Sequence, residues 1–573
     1  MKLVIREYLS MLKESGELDL LLPDLLLAMG LKPLSKAQGG VRQSGVDIAA
    51  RGSDLDDANK TDKLFLLTVK RGDLSRQNWD SNEIQDLRPS LNEILDAYLN
   101  KYVDIDCKNL PKKIIVCCNG DIKQNVESNW QGYKERHSKQ GEIEFDFWGA
   151  DKLSILIETY LFDEYIFPEK SRKNLRKTIA LADQSEEEPK YFYALIKDTL
   201  EEITTKNQNQ NQAKFKKEIN KAFSTLNLSL NIVFYWCQEA NNLRPALFCA
   251  ERMILSVWEF LRKQNLLKDK RIRNKYYQIF ATYLNIARTF IIKIQPYCKV
   301  EHGLFGYAEA EEIEYPLRIF EIIGILGTFG IVVYNMILTE QDEETRQSFF
   351  TEIQGVSQIL KSLIRRNPAA FTPLYDNHAN DIASALIVLQ LAGESNFIQT
   401  WVIGLGNMIC TAYYSLGFYF PIHTNSYNDL VSMKFGKAPQ KHEFIKASTI
   451  LPMLADWYAI LDLSDDYQNF ENNVKKIFPH TNFMLWYPDK NTEDFLYITN
   501  AGYHSGVGTS LAIHSLIEDI QKRGINSLNN QENICKNMSC FNFGLFSLTA
   551  IASRHFKTPI FPILWQRFLN KPI

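Results

Sequence analysis

Two charged residues, Asp47 and Lys70, have the types and spacing for chemistry. Asp47 closes the stretch Gly39-Gly-Val-Arg-Gln-Ser-Gly-Val-Asp47, and Lys70 ends an apolar run, followed by Arg71 and Gly72. A carboxylate on one strand holds a hard divalent cation such as Mg²⁺ or Mn²⁺. A lysine beside it orients or activates a water and offsets the charge that grows on a phosphate in the transition state. A buried lysine with no acid beside it would be costly. If the strands carrying these residues pair as a hairpin, both side chains reach one end of a sheet. Taken singly, an Asp after a glycine is usually a turn or cap residue, and a Lys at a strand end is usually a solvated flank. The pair has meaning only inside the right order of elements.

That order is readable. Residues 3–29 have helical periodicity, broken at Gly16 or Pro23 and stopped by Gly30. Three strand-like pieces follow: a weak one at 31–35, then 46–50, then 64–70. A helix is predicted at about 82–101, an apolar strand at 114–118 and a helix near 121–137. Residues 143–148 alternate as a strand, and Asp151 is placed to cap a helix reaching about 161. This is a mixed α/β domain over residues 1–165. Residues 166–190, with a basic group at 170–177 and an acidic run at 186–188, read as a linker. Residues 191–573 are dominated by helical periodicity without a clean repeat, one or two domains of sensor or assembly type.

The N-terminal third resembles the PD-(D/E)XK nuclease superfamily, most closely the Mrr-like restriction endonucleases. The resemblance rests on the helix LDLLLPDLLLAMG (18–30), the glycine-rich loop ending G-V-D-I, the strand ending T-V-K, and the later helix–strand–helix order. It spans roughly residues 5–160 and does not reach the second half. It implies an α/β restriction-endonuclease-like fold followed by a large all-α region. It also implies a metal-dependent DNA endonuclease of a bacterial antiviral defence or restriction system. Carried over residue by residue, Asp47 is the metal-binding acid and Lys70 the catalytic lysine. Thr68 stands at the catalytic position where such nucleases usually have Glu or Gln. Val69 offers its backbone carbonyl to the metal. Asp19 is the preferred helix acid, with Asp24 and Glu17 as alternatives. Gln43, Ser44 and Arg71 are placed to meet the substrate. Three rival readings stand beside this one: a degenerate nuclease fold that only holds nucleic acid, an RNase toxin, and a membrane-anchored effector.

Composition narrows the field. The 573 residues hold 65 basic against 68 acidic side chains, and 45% are hydrophobic. That excludes a disordered chain and a coat protein held to nucleic acid by bulk charge. Residues 1–165 carry 22 basic and 28 acidic side chains, so a nuclease here would grip phosphates poorly unaided. The expectation is gating by an activating protein partner or by homo-oligomerisation through the helical region. The group at 170–177 and Lys268, Lys270, Arg271, Arg273 and Lys275 are candidate phosphate contacts.

Nine irregularly spaced cysteines make neither a disulfide framework nor a zinc set. No secretory signal stands out, which gives a cytoplasmic expectation. The uncharged stretches 322–338 and 401–422 read as buried helices rather than membrane spans. The glycine-rich segment 502–510 lacks the lysine of a phosphate loop and reads as a loop before a helix at Leu511. His442-Glu443 lacks the second His of a metalloprotease helix.

Overall fold

The computed structural model describes residues 2–12, 18–34, 44–54, 57, 60–80, 86–161, 169–183, 188–206, 212–305, 313–414, 421–434, 443–498, 507–510 and 516–570. They form two units, Met1–Ala250 with Leu266–Thr282, and Glu251–Asn265 with Tyr283–Ile573.

The first unit opens with α1 (Lys2–Met11), α2 (Asp19–Ala28), β1 (Lys32–Pro33), β2 (Ile48–Ser53) and β3 (Asp62–Lys70). Then come α3 (Arg76–Trp79), α4 (Leu87–Glu93), a π-helical turn (Ile94–Tyr98) and α5 (Leu99–Lys101). β4 (Lys112–Cys118), α6 (Gln124–His137), β5 (Ile143–Trp148) and α7 (Ala150–Tyr160) complete the mixed domain. The sheet order is β1-β2-β3-β4-β5. β1, β2 and β3 run antiparallel, whereas β4 and β5 follow β3 in parallel.

Strand composition accounts for strand position. β3, DKLFLLTVK, is buried from Lys63 to Val69, as a central strand covered on both faces must be. β4, KKIIVCC, lies beside it and is equally buried. β5, IEFDFW, alternates apolar and acidic residues, which suits an edge. One face of the sheet, with Ala49, Leu64, Leu66, Ile114, Val116 and Phe145, packs on Leu87 and Leu91 of α4 and Val126, Trp130 and Tyr133 of α6. By alternation, Ile48, Ala50, Phe65, Leu67, Ile115 and Trp148 are buried on the other face. There α2 packs on β1 and β2, and α1 and α7 pack together.

Two details depart from expectation. The helix predicted over 82–101 contains a π-helical turn between α4 and α5. Asp151 is not the cap of α7, because Gly149 occupies that position and the Asp151 carboxylate is bound to Arg6 at 2.6 Å.

Helices follow: α8 (Glu169–Ala180), α9 (Lys190–Lys206), α10 (Gln212–Glu239), α11 (Arg244–Lys263) and α12 (Lys270–Cys298). The segment read as a linker therefore contains α8, whose Asn174, Leu175 and Thr178 are buried. The division between the units falls within α11 and α12.

The second unit is predominantly helical, with α13 (Glu314–Thr339), α14 (Glu343–Arg366), α15 (Ala379–Leu391) and α16 (Ser395–Tyr414) among its longer elements. Among the described residues α13 is the one helix long and apolar enough to cross a membrane, and 72% of its apolar window is buried. It packs against α15 as a core helix, so closely that a side chain at Gly327 would collide with Ser384 and Ala385. The stretch 401–422 forms most of α16, with Trp401, Val402, Leu405 and Ile409 buried, and 415–420 lie outside the described residues.

This region is not wholly α. A small sheet joins β6 (Ala447–Ser448), β7 (Asn482–Tyr487) and β8 (Val507–Ser510). β7, NFMLWY, is aromatic-rich and only six residues long, a strand signature easily lost among helical patterns. β8 takes the end of the glycine-rich segment read as a loop; residues 499–506, 511–515 and His442 lie outside the described residues.

Candidate active site at the end of strand β3

The site begins with a turn. Ser44 and Gly45 have φ of 50° and 81°, both left-handed, and they turn the chain toward β2. A Cβ on Gly45 would sit 2.1 Å from the Ser90 carbonyl oxygen of α4 and 3.0 Å from Ile94, where the π-helical turn starts. Only glycine fits this position. The close approach fixes the loop against α4 two residues before Asp47.

Asp47 is then held at both ends. Its N–H donates to the Leu67 carbonyl at 2.9 Å, and its Oδ2 accepts the Val69 N–H at 2.7 Å. The antiparallel register pairs Ile48 with Leu67, so Asp47 lies at the level of Thr68, two residues from Lys70. In an extended strand the N–H and C=O of one residue leave by the same edge. The Val69 carbonyl therefore shares the strand edge on which its N–H meets Asp47.

The electrostatics identify what faces this carboxylate. Burial raises Asp47 above the ordinary carboxylate value, and the negative charge of Asp19 adds to the rise. The Val69 N–H, the positive charge of Lys70 and the Thr68 hydroxyl pull the other way. Asp19 of α2 and Thr68 and Lys70 of β3 thus all act on Asp47, which stands just before β2. Asp19 Oδ1 is buried and has no hydrogen-bond partner. Thr68 is fully buried, and Lys70 is half-buried at the strand end.

The other residues read from the sequence are placed differently. Asp24, five residues along α2, forms an ion pair with Lys275 and accepts the Ser224 hydroxyl at 3.0 Å. It therefore belongs to a separate contact. Arg71 is exposed immediately after β3, and Ser44 sits in the turn before Asp47. Glu17 and Gln43 lie outside the described residues. Of the basic groups, Lys170 pairs with Asp198 at 3.0 Å, Lys177 lies over the Tyr191 ring, and Arg273 donates to the Leu267 carbonyl. Lys173 and Arg176 are exposed on α8.

Two residues beside the site carried no sequence signal of their role. Buried Asn119, just after β4, donates to the Leu9 and Leu12 carbonyls at the end of α1 and accepts the Gly72 N–H at 2.7 Å. It buckles α1 to the loop that leaves Lys70. Cys117 sits next to Val69 in the register; burial lifts its thiol far above normal, and the charge of Asp47 contributes. It is a neutral wall of the site. The Asn-Gly pair after an apolar strand marks a turn, but its partners lie far off in the chain, 47 residues for Gly72 and over a hundred for Leu9 and Leu12.

Among the described residues no group of three or more His, Cys, Asp or Glu side chains is arranged to hold a metal. The donor set here is two carboxylates and one backbone carbonyl. That number suits Mg²⁺, which keeps several waters and binds through one or two carboxylates. The orphaned Asp19 oxygen is the feature such an ion would satisfy. No protein-family model matches the chain, and no curated protein or solved structure matches it either.

Proposed function

We propose that the first unit is a metal-dependent nuclease of PD-(D/E)XK type, most similar to Mrr-like endonucleases, and that it hydrolyses phosphodiester bonds in DNA. The observation that carries this reading is the buried, unpartnered oxygen of Asp19, whose charge acts on Asp47 beside Lys70. Asp47, Asp19 and the Val69 carbonyl would hold Mg²⁺ or Mn²⁺. When bound, that ion supplies a Lewis acid for the phosphate and a more acidic water. Thr68 steadies the Asp47 carboxylate through its hydroxyl. Lys70 orients the attacking water and offsets charge growing on the phosphate oxygens. Ser44 and Arg71 flank the entry and contact the phosphate backbone.

The acidic composition of residues 1–165 favours a nuclease gated by a protein partner or by self-assembly through the helical region, as in an antiviral defence or restriction system. The test is plasmid cleavage with Mg²⁺ or Mn²⁺ by the activated full-length protein. Asp47→Ala and Lys70→Ala each abolish it, an expected loss of about a hundredfold or more. Cleavage that survives both substitutions overturns the assignment. A second reading draws on Thr68, which brings no carboxylate: a nuclease fold that holds DNA without cutting it. It predicts DNA binding with no metal-dependent cleavage under any activating condition. Offering RNA alongside DNA separates the ribonuclease alternative.

A further inference from the structure

We infer that the ion pair of Asp24 with Lys275, together with Ser224, is a positioning device that sets Asp19 against Asp47; the inference rests on the metal-site reading above. The argument begins with α2. It carries Pro23 in its interior, and a proline has no N–H to give to the carbonyl four residues back. That carbonyl belongs to Asp19. The ring of Pro23 also crowds it, so the helix backbone alone holds Asp19 weakly at the point where its carboxylate must be held best.

The next residue supplies the missing restraint. Asp24 lies about 7.5 Å along the helix from Asp19 and about 140° around it, so the two carboxylates leave on different faces. Asp19 acts on Asp47, whereas Asp24 is gripped by Lys275 of α12 and Ser224 of α10. Both partners belong to the first unit and lie 200 or more residues from Asp24. Each Asp24 oxygen has its own partner, and the Lys275 and Asp24 side chains are only 14% and 17% exposed. A surface ion pair of this kind would be worth little. A largely buried one that fixes two oxygens sets the rotation of α2, and rotation decides where Asp19 points.

Sub-ångström displacement of a ligating group matters because a site must be held within about 0.5 Å of its productive geometry. Residues that orient metal ligands from behind typically cost 10–100-fold in metal affinity when removed. Asp24, Lys275 and Ser224 are such positioning residues and touch no substrate. α12 continues past Thr282 into residues assigned to the second unit.

The experiment titrates Mn²⁺ into the full-length protein, following free Mn²⁺ by electron paramagnetic resonance, with thermal melts on each variant. Lys275→Met weakens Mn²⁺ binding about 10–100-fold, and Lys275→Arg, which keeps the charge, restores most of it. Ser224→Ala, which removes one bond and no charge, weakens binding to a smaller degree at an unchanged melting temperature. It carries the test if Lys275→Met fails to fold. Wild-type Mn²⁺ affinity in Ser224→Ala and in folded Lys275→Met shows the contact to be merely structural and overturns the inference. Failure of the underlying reading is separate: Asp47→Ala would then bind Mn²⁺ as the wild type does.

Discussion

The two ends of the N-terminal sheet use the same residue types and treat them differently. At the end where β3 begins, Lys63 and Lys113 enclose Asp54, with Nζ to carboxylate distances of 2.9 and 3.1 Å. Glu144 adds a further contact to Lys63 at 2.8 Å. The Lys63 and Asp54 side chains are only 5% exposed, and both Asp54 oxygens are bonded. Burial pulls Lys63 down, but its bonds to Glu144 and Asp54 outweigh that and hold it above its ordinary value. At the end where β3 finishes, the acids Asp19 and Asp47 repel each other and one oxygen has no partner. The first end is a closed network that serves the fold. The second leaves one carboxylate oxygen of Asp19 buried and unpartnered. Satisfaction, rather than residue type, separates a structural cluster from a candidate site.

The largest effect should come from opening the closed end. Asp54→Ala leaves two buried ammonium groups short of a carboxylate, and removing one partner of a buried pair typically costs about 3–5 kcal/mol. Urea denaturation of the full-length protein should show the first unit losing that much. A loss below about 1 kcal/mol would mean that Glu144, Asp57 and Asp146, which stand nearby, take over, and the contrast between the ends would weaken.

The middle-sized effect has the opposite sign. Asp19→Asn removes a like charge beside Asp47 and replaces an unpartnered carboxylate oxygen, so stability should hold or rise by about 1 kcal/mol. Mn²⁺ affinity should fall steeply in the same variant. Stability spent on a function is the usual reason for such a trade. If Asp19→Asn lost stability and kept its Mn²⁺ affinity, Asp19 would be a structural residue like Asp54.

How much of this was legible differs between the two ends. β3 and β4 announce themselves by long apolar runs, and the Asp47 and Lys70 spacing needs only a hairpin to bring them near. Gly45 marks a turn, although its need for bare backbone comes from Ser90, forty-five residues on. The choice between Asp19 and Asp24 was open in the sequence, because Pro23 disturbs the helical phase and Lys275 lies 251 residues away. Lys63 and Lys113 border the apolar runs 64–70 and 114–118, and nothing local to either marks an acid partner. Their partner Asp54 comes to them through the registers of β2 with β3 and β3 with β4, and registers are tertiary facts. The small sheet of the second unit escaped because β7 is a lone aromatic-rich strand among helical patterns, with partners of only two and four residues. Local pattern conveys elements; which charges end up paired depends on contacts far apart in the chain.

The smallest effect is a pH dependence that differs between the site and the core of the second unit. Asp47 is raised in the folded protein, so the native state binds its proton more tightly than the unfolded chain. The stability this confers is complete below the ordinary value of 3.8 and is lost as pH rises through the raised value. His378 behaves oppositely. Stacked on Phe320 and fully enclosed, it is lowered from 6.5 to about 3 by burial, with the charge of Lys557 contributing. Its contribution is present above 6.5 and lost as pH falls toward about 3. Acidification should therefore weaken the second unit while easing the repulsion at the site. If Asp47 holds Mn²⁺ as proposed, protons compete with the ion there, and Mn²⁺ affinity should decline on acidification at pH values above those of an ordinary aspartate. Asp47→Asn should remove the site's share of the pH dependence, and His378→Gln should flatten the acid limb of the second unit alone. If Asp47→Asn left the pH profile of first-unit stability unchanged, the strain assigned to that end of the sheet would be absent, and the two ends would differ only in composition.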